Sequence, residues 1–199
     1  MTYAPIDLVT SAGGNIGSMS RCLKRLGVDF EMRGNNDPPD GTRPIVLPGV
    51  GAFGAVMNSL KENNFDKTLH SLIKDGTPFL GVCVGMQVLF DESEEAPGVA
   101  GLGIIQGDVV KYKAAKVPQI GWNKIRANKE NHPEGFVYFV NSFYVRPKDE
   151  GVTLYSADYE QNFCAAVQTG NITAFQFHPE KSGTMGETLI KRWLSDVSK

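Results

Sequence analysis

Several things are scarce in this chain, and each scarcity removes a class of function. No apolar stretch approaches the roughly 20 residues needed to cross a bilayer. Charge of one sign is also missing. With 20 Lys and Arg against 22 Asp and Glu, the net charge of −2 gives no electrostatic reason to expect nucleic acid or an acidic membrane as partner. The three cysteines (Cys22, Cys83, Cys164) are odd in number and far apart, with no C-x-x-C pair. That argues against a disulfide framework or a structural zinc site and fits a reducing cytoplasm. The N-terminal run through Val9 has no basic flank and carries Asp7, so it reads as a first strand rather than a signal peptide. Internal repeats and low-complexity linkers are absent. At 199 residues the chain is long enough for one α/β domain with a sizeable core, so a single domain spanning 1–199 is expected.

The first half alternates apolar runs with helical spacing, the pattern of a parallel sheet with connecting helices. Strands are expected at residues 6–9, 28–32, 44–47 and 77–81. A helix over 16–26 is expected to be capped by Asn15 and stopped at Gly27, and two further helical stretches at about 53–63 and 65–75. The second half shows short strands and turns (107–112, 136–140, 152–155, 163–167, 172–177) and a closing amphipathic helix from about Thr184 to Val197.

The densest chemical signal lies at residues 81–91 (GVCVGMQVLFD), where Cys83 sits between two glycines, after an apolar run and before a helical pattern carrying Met86, Val88, Leu89 and Phe90. A residue at that junction occupies a cramped strand-to-helix turn, hence the small neighbours. Its sulfur would face unpaired N–H groups at the start of the helix, which favour a thiolate. A cysteine nucleophile needs a base and a group to orient it. His70 lies in a polar helical stretch and reads as a surface or half-buried residue, and His132 lies in an exposed turn before Pro133; neither reads as catalytic. His178 ends a strand two positions before Glu180. In extended backbone such positions share a side, so the carboxylate would fix the imidazole tautomer that leaves the other nitrogen facing the thiol. The loop Gly49, Val50, Gly51 follows a strand, and its N–H groups together with that of Val84 would form an oxyanion hole. Residues 49–54 match G-x-G-x-x-G formally but lack the βαβ context of a dinucleotide site, and no Walker pattern occurs. Gln87, one turn beyond Cys83, points the same way and suits a polar substrate.

Together, residues 81–87 (GVCVGMQ) and 175–183 (FQFHPEKSG) resemble the class I, triad-bearing glutamine amidotransferases. Residues 47–54 (LPGVGAFG), 94–98 (EEAPG), 117–123 (VPQIGWN) and 138–144 (YFVNSFY) narrow the resemblance to the glutaminase subunits of imidazole glycerol phosphate synthase. These blocks follow the expected order over nearly the whole chain. The resemblance implies a flavodoxin-like α/β fold, a central, mostly parallel sheet flanked by helices plus a smaller antiparallel β region. It implies a triad of Cys83 (nucleophile), His178 (acid/base) and Glu180 (orienter). It also implies glutamine bound by Gly49 and its loop, Gln87, Glu95, Asn141, Ser142 and Phe143. Asn15, Trp122 and Lys181 would face a (β/α)-barrel cyclase partner in a cytoplasmic heterodimer. No metal or cofactor is expected. The chain departs from the pattern at Gln119 and Asn141, where the family has, respectively, histidine and often histidine. Those departures leave open a paralogous amidotransferase feeding another synthase, such as one modifying a surface sugar. A non-catalytic relative using Cys83 as a redox sensor is the reading from a different class.

Overall fold

A computed structural model describes residues 3–10 and 16–198. The expected cap Asn15 and the glycine turn before it lie outside the described residues. The first half builds four strands, β1 (Ile6–Val9), β2 (Phe30–Arg33), β3 (Ile45–Gly49) and β4 (Phe79–Cys83). Three helices accompany them, α1 (Ile16–Arg25), α2 (Phe53–Lys61) and α3 (Phe65–Lys74). β1, β3 and β4 are buried along their whole length, which is why they read as unbroken apolar runs. The acid in β1, Asp7, is fully buried and accepts from Arg33 at 3.1 Å. α1 ends with Lys24 and Arg25 in its last turn and Gly27 at φ 70°, and the Val28 N–H reaches back to the Leu23 carbonyl at 3.0 Å. That is a glycine-terminated stop of the kind the sequence signals.

Helix α4 is shorter than expected. It spans only Val84–Gln87, although the apolar pattern runs on through Phe90. The carbonyls that a longer helix would spend internally are taken by residues 102–105. Leu102 N–H bonds Val88 O at 2.8 Å, Ile104 N–H bonds Leu89 O at 2.9 Å and Gly103 N–H bonds Phe90 O at 3.2 Å. Tertiary pairing overrides helical propensity here.

The second half supplies β5 (Glu92–Ser93), β6 (Gly107–Lys111), β7 (Gln119–Ala127), β8 (Gly135–Asn141), β9 (Phe143–Pro147), β10 (Thr153–Asp158), β11 (Asn162–Thr169) and β12 (Ile172–Phe175), closed by helix α5 (Gly183–Val197). The strand order is β2-β1-β3-β4-β12-β11-β10-β7-β8, with β5, β6 and β9 attached beside it through β11. The run β2-β1-β3-β4-β12 is parallel, and every pair from β12 onward to β8 is antiparallel. The α/β class with a parallel centre and an antiparallel part is therefore as expected, but the antiparallel strands continue the same sheet. β5, β7 and β9 were not anticipated. His132 is a correction too: it is half-buried, packed edge-on against Tyr155, with Nε2 3.4 Å from Arg192. One apolar core runs through both halves, from Ile6 to Leu194, and takes in Cys22 and Cys164. No helix among the described residues is long and apolar enough to cross a membrane.

Candidate active site

β3 and β4 run in parallel with Gly49 opposite Cys83, and the turn out of β4 is packed to the limit. A Cβ on Gly85 would overlap the Leu47 carbonyl, one on Gly81 the Gly85 carbonyl, and one on Gly49 the Gly85 amide. These glycines are spacers that let two strands and the elbow share one small volume. Cys83 itself adopts φ 56° and ψ −112°, a conformation costing an L-residue on the order of 1–3 kcal/mol. The result lifts its side chain out of the sheet at the head of α4.

A cavity of about 770 Å³ opens over this elbow. Cys83, Val84, Gln87, Val50, Gly51, Glu95, Asn141, Ser142, Phe143, His178 and Lys181 all border it. Among the described residues, three of the expected ones do not. Gly49 lies beneath, as a packing contact between β3 and the elbow. Glu180 stands behind His178, and Trp122 is on the outer face of the β7–β8 hairpin, 57% exposed.

His178 Nδ1 lies 2.9 Å from Glu180 Oε1, and their side chains are only 3% and 1% exposed. The pairing arises differently from the sequence argument, because Pro179–Lys181 forms a 3₁₀ turn and His178 is its extended N-terminal flank. That turn is pinned to the hairpin. His178 N–H donates to the Tyr138 carbonyl at 2.9 Å, while Ser182 Oγ donates to the His178 carbonyl at 2.6 Å and accepts from the Tyr138 N–H at 2.9 Å. Burial disfavours the imidazolium, but hydrogen bonding by Cys83 and Glu180 and the charge of both outweigh it, and His178 is pushed up to about 10. The imidazole is therefore well placed to hold a proton beside the sulfur.

The rest of the wall is amide chemistry. Glu95 Oε2 accepts the Phe53 N–H, the first of α2, at 2.7 Å, which ties the 94–98 loop to the Gly51 loop. Asn141 Nδ2 donates to the Phe143 carbonyl at 2.9 Å and to the Tyr112 hydroxyl at 3.0 Å, and that hydroxyl donates to Gln119 Oε1 at 3.2 Å. Burial raises the Tyr112 phenol well above its ordinary range, so it stays a neutral donor. The two positions departing from the family pattern are thus neighbours in register, joined through one tyrosine. Gln176 carried no role in the sequence reading. It is fully buried, accepts from Gln87 Nε2 at 3.0 Å and places its own Nε2 3.9 Å from Cys83 Sγ. Its signal was parity, since it sits two residues before His178 on the same run. Among the described residues no group of three or more His, Cys, Asp or Glu is arranged to hold a metal ion.

Comparison with known proteins gives a consistent result. The family model for class-I glutamine amidotransferases matches residues 8–197. Imidazole glycerol phosphate synthase subunit HisH of Geobacillus thermodenitrificans is 39% identical over 205 residues, covering 97% of this chain and 96% of the relative. The subunit of the same name from Aquifex aeolicus is 40% identical, covering 94% of each, and that of Bacillus subtilis 36% identical, again 94% of each. Among solved structures, a glutamine amidotransferase superposes with a TM-score of 0.78 at 21% identity, covering 96% of this chain and 97% of that one. PurLQS from Thermotoga maritima gives 0.80 at 16%, covering both chains fully. At those identities the structural matches speak for the fold alone.

Proposed function

Since the chain belongs to the class-I glutamine amidotransferases, alongside the HisH subunits of imidazole glycerol phosphate synthase, we propose that it hydrolyses glutamine and passes the ammonia to a cyclase subunit in histidine biosynthesis. The observation that carries the mechanism is the buried His178–Glu180 pair at 2.9 Å, bordering the same cavity as Cys83 on its positive-φ elbow.

Cys83 Sγ attacks the side-chain amide carbon of glutamine. The oxygen that gains charge is held by the N–H of Val84 and those of the Val50–Gly51 loop. His178 delivers its proton to the departing nitrogen, the C–N bond breaks, and ammonia and a γ-thioester result. His178 then takes a proton from water, whose oxygen attacks the thioester. The C–S bond breaks, glutamate leaves and loses its carboxyl proton to solvent, and the Cys83 sulfur is left beside the proton that His178 took from water. Glu180 holds the imidazole tautomer throughout. Gln87, Glu95 and residues 141–143 bind the amino-acid end of the substrate, and the whole chain works as one glutaminase unit.

Ammonia released into water would be protonated and lost as a nucleophile, so the cavity mouth should open onto the partner. Val140, Pro118 and Lys181 are among the residues bordering the cavity, and the β7–β8 hairpin that carries Val140 leaves Ile120 (61%), Trp122 (57%) and Phe136 (60%) exposed. Large apolar side chains clustered at a rim are an interaction surface more often than an accident. The partner is a (β/α)-barrel cyclase, joined in a cytoplasmic heterodimer. It turns a phosphoribulosyl-formimino ribonucleotide into imidazole glycerol phosphate and an aminoimidazole carboxamide ribonucleotide. The test is Cys83→Ser in the reconstituted complex. Glutamine-dependent synthesis should fall by at least about a thousandfold, while synthesis from added ammonium salt continues at the wild-type rate. Retained glutamine-dependent synthesis would remove Cys83 as nucleophile.

A further inference from the structure

Gln176 stands outside every role assigned above, yet its amide is among the most constrained groups near the sulfur. It is fully buried, flanked in sequence by Phe175 and Phe177, whose rings stack on each other 5.0 Å apart. An amide in such a place costs free energy unless its polar atoms are used. Its orientation follows from a chain of exclusions. The Phe143 carbonyl can only accept, so the Gln87 atom 3.1 Å from it must be Nε2. The same Nε2 lies 3.0 Å from Gln176, so the Gln176 atom facing it must be Oε1. Gln176 Nε2 is therefore the atom turned to Cys83 Sγ, at 3.9 Å. A backbone carbonyl at one wall of the cavity thus decides which end of an amide the nucleophile meets.

We propose that Gln176 is a positioning residue, donating an N–H to Cys83 Sγ and so favouring its thiolate, with its orientation imposed by Gln87 and the Phe143 carbonyl. This rests on the glutaminase reading, in which that sulfur is the nucleophile. A hydrogen bond to a charged acceptor is stronger than one to a neutral acceptor, so the donor stabilises the anion over the thiol. Two donors then converge on the sulfur, the His178 imidazole and the Gln176 amide. His178 moves its proton during the reaction, whereas an amide cannot release one. Gln176 therefore keeps its N–H in place through the whole cycle, both before attack and when the C–S bond breaks and the thiolate re-forms. The relay also has a direction. Anything that shifts the Phe143 carbonyl releases Gln87, and a released Gln87 no longer forbids Gln176 from turning its oxygen toward the sulfur.

The experiment is alkylation of the full-length chain by iodoacetamide, read at the Cys83 peptide by mass spectrometry at pH 7 and pH 10, with buried Cys22 and Cys164 as internal controls. Gln176→Met keeps length and volume but has no donor. It should slow alkylation at pH 7 about tenfold and leave the rate at pH 10 within about twofold of wild type. Gln176→Glu, presenting an acceptor, should be slower still at pH 7. Gln87→Met should slow the pH 7 rate about threefold, and adding it to Gln176→Met should change nothing further, because the two act in series. Wild-type reactivity of Gln176→Met at pH 7 would overturn the proposal, and so would an equal slowing at both pH values, the mark of a merely structural residue. A glutamine-like electrophile, 6-diazo-5-oxonorleucine, separates the two levels of argument. If wild type shows no preference for it at Cys83, the glutaminase reading fails. If wild type prefers it and Gln176→Met alkylates normally, only the amide relay falls.

Discussion

β4 ends in the cavity and β7 supports its wall from behind, through Gln119 and Tyr112 to Asn141, but the two strands are built on opposite logic. β4 is buried at all five positions, and its residues are apolar or glycine up to the cysteine that ends it. In β7 the side chains facing the protein are Gln119 and Ile125, while Ile120 and Trp122 face outward. An interior strand of a parallel sheet has two apolar neighbours and reads as an apolar run. A strand with a buried polar network on one side and, on the docking proposed above, a second protein on the other reads backward, polar within and apolar without. The register pairs Ile120 with Val140 and Trp122 with Tyr138, so the outward set is continuous across both strands. Trp122 and Tyr138 meet edge to face at 6.0 Å. The elbow is therefore specified by its own core, and the hairpin by what lies on either side of it.

That contrast predicts where substitutions should hurt. The largest effect is expected at Gly85, where any Cβ overlaps the Leu47 carbonyl of the neighbouring strand. Backbone cannot yield as a flexible side chain can, so Gly85→Ala should cost on the order of 3 kcal/mol or more in urea unfolding, with glutaminase activity lost alongside. A loss under about 0.5 kcal/mol would show that the elbow has room, and the spacer argument would be wrong. The hairpin should behave in the opposite way. Trp122→Ala removes a side chain that is 57% exposed, so unfolding should change by less than about 0.5 kcal/mol. Affinity for the cyclase should nevertheless weaken about 30-fold, the cost of losing an aromatic anchor of about 2 kcal/mol. Titration calorimetry on the folded variant would settle the matter: unchanged affinity would move the docking face elsewhere.

The same contrast explains what the sequence displays. The parallel half was legible because β1, β3 and β4 are mostly apolar runs bounded by turn residues, and because α1 ends on basic residues followed by Gly27; β2 (FEMR), with no buried residue, lies at 30–33 rather than the expected 28–32. Cys83, His178 and Glu180 were legible through residue type and the blocks that flank them, whereas the extended-strand argument for the His178–Glu180 pair gave way to a 3₁₀ turn. β7 was hidden because its periodicity points the wrong way, and β5 and β9 are short strands paired beside the main sheet. The early end of α4 was invisible for a different reason. Nothing between Val88 and Phe90 discourages a helix, and the residues that claim those carbonyls, 102–105, lie some fifteen positions further on. The part played by Glu95 in holding the first N–H of α2 is equally non-local. Gln176 was masked by its surroundings, since a glutamine between two phenylalanines just past the end of β12 announces its partner only once Gln87 and Cys83 are placed beside it.

The smallest expected effect concerns protons and again divides the two regions. His178 is raised to about 10, with Glu180 among the groups that raise it against burial. Its ordinary value is about 6.5, so the protonated imidazole stabilises the fold fully below that pH, and the contribution is lost as pH climbs through about 10. Glu180→Gln removes one of the groups holding the proton. Its urea stability should therefore lie below wild type near pH 6, and the gap should narrow by about 1 kcal/mol on going to pH 10. Trp122→Ala, which removes neither a charge nor a hydrogen bond to the His178 imidazole, should track wild type across the whole range. Parallel curves for Glu180→Gln and wild type would mean that the carboxylate does not hold the imidazole proton. The 2.9 Å contact would then fix orientation without charge, leaving Cys83 as the group that keeps His178 protonated.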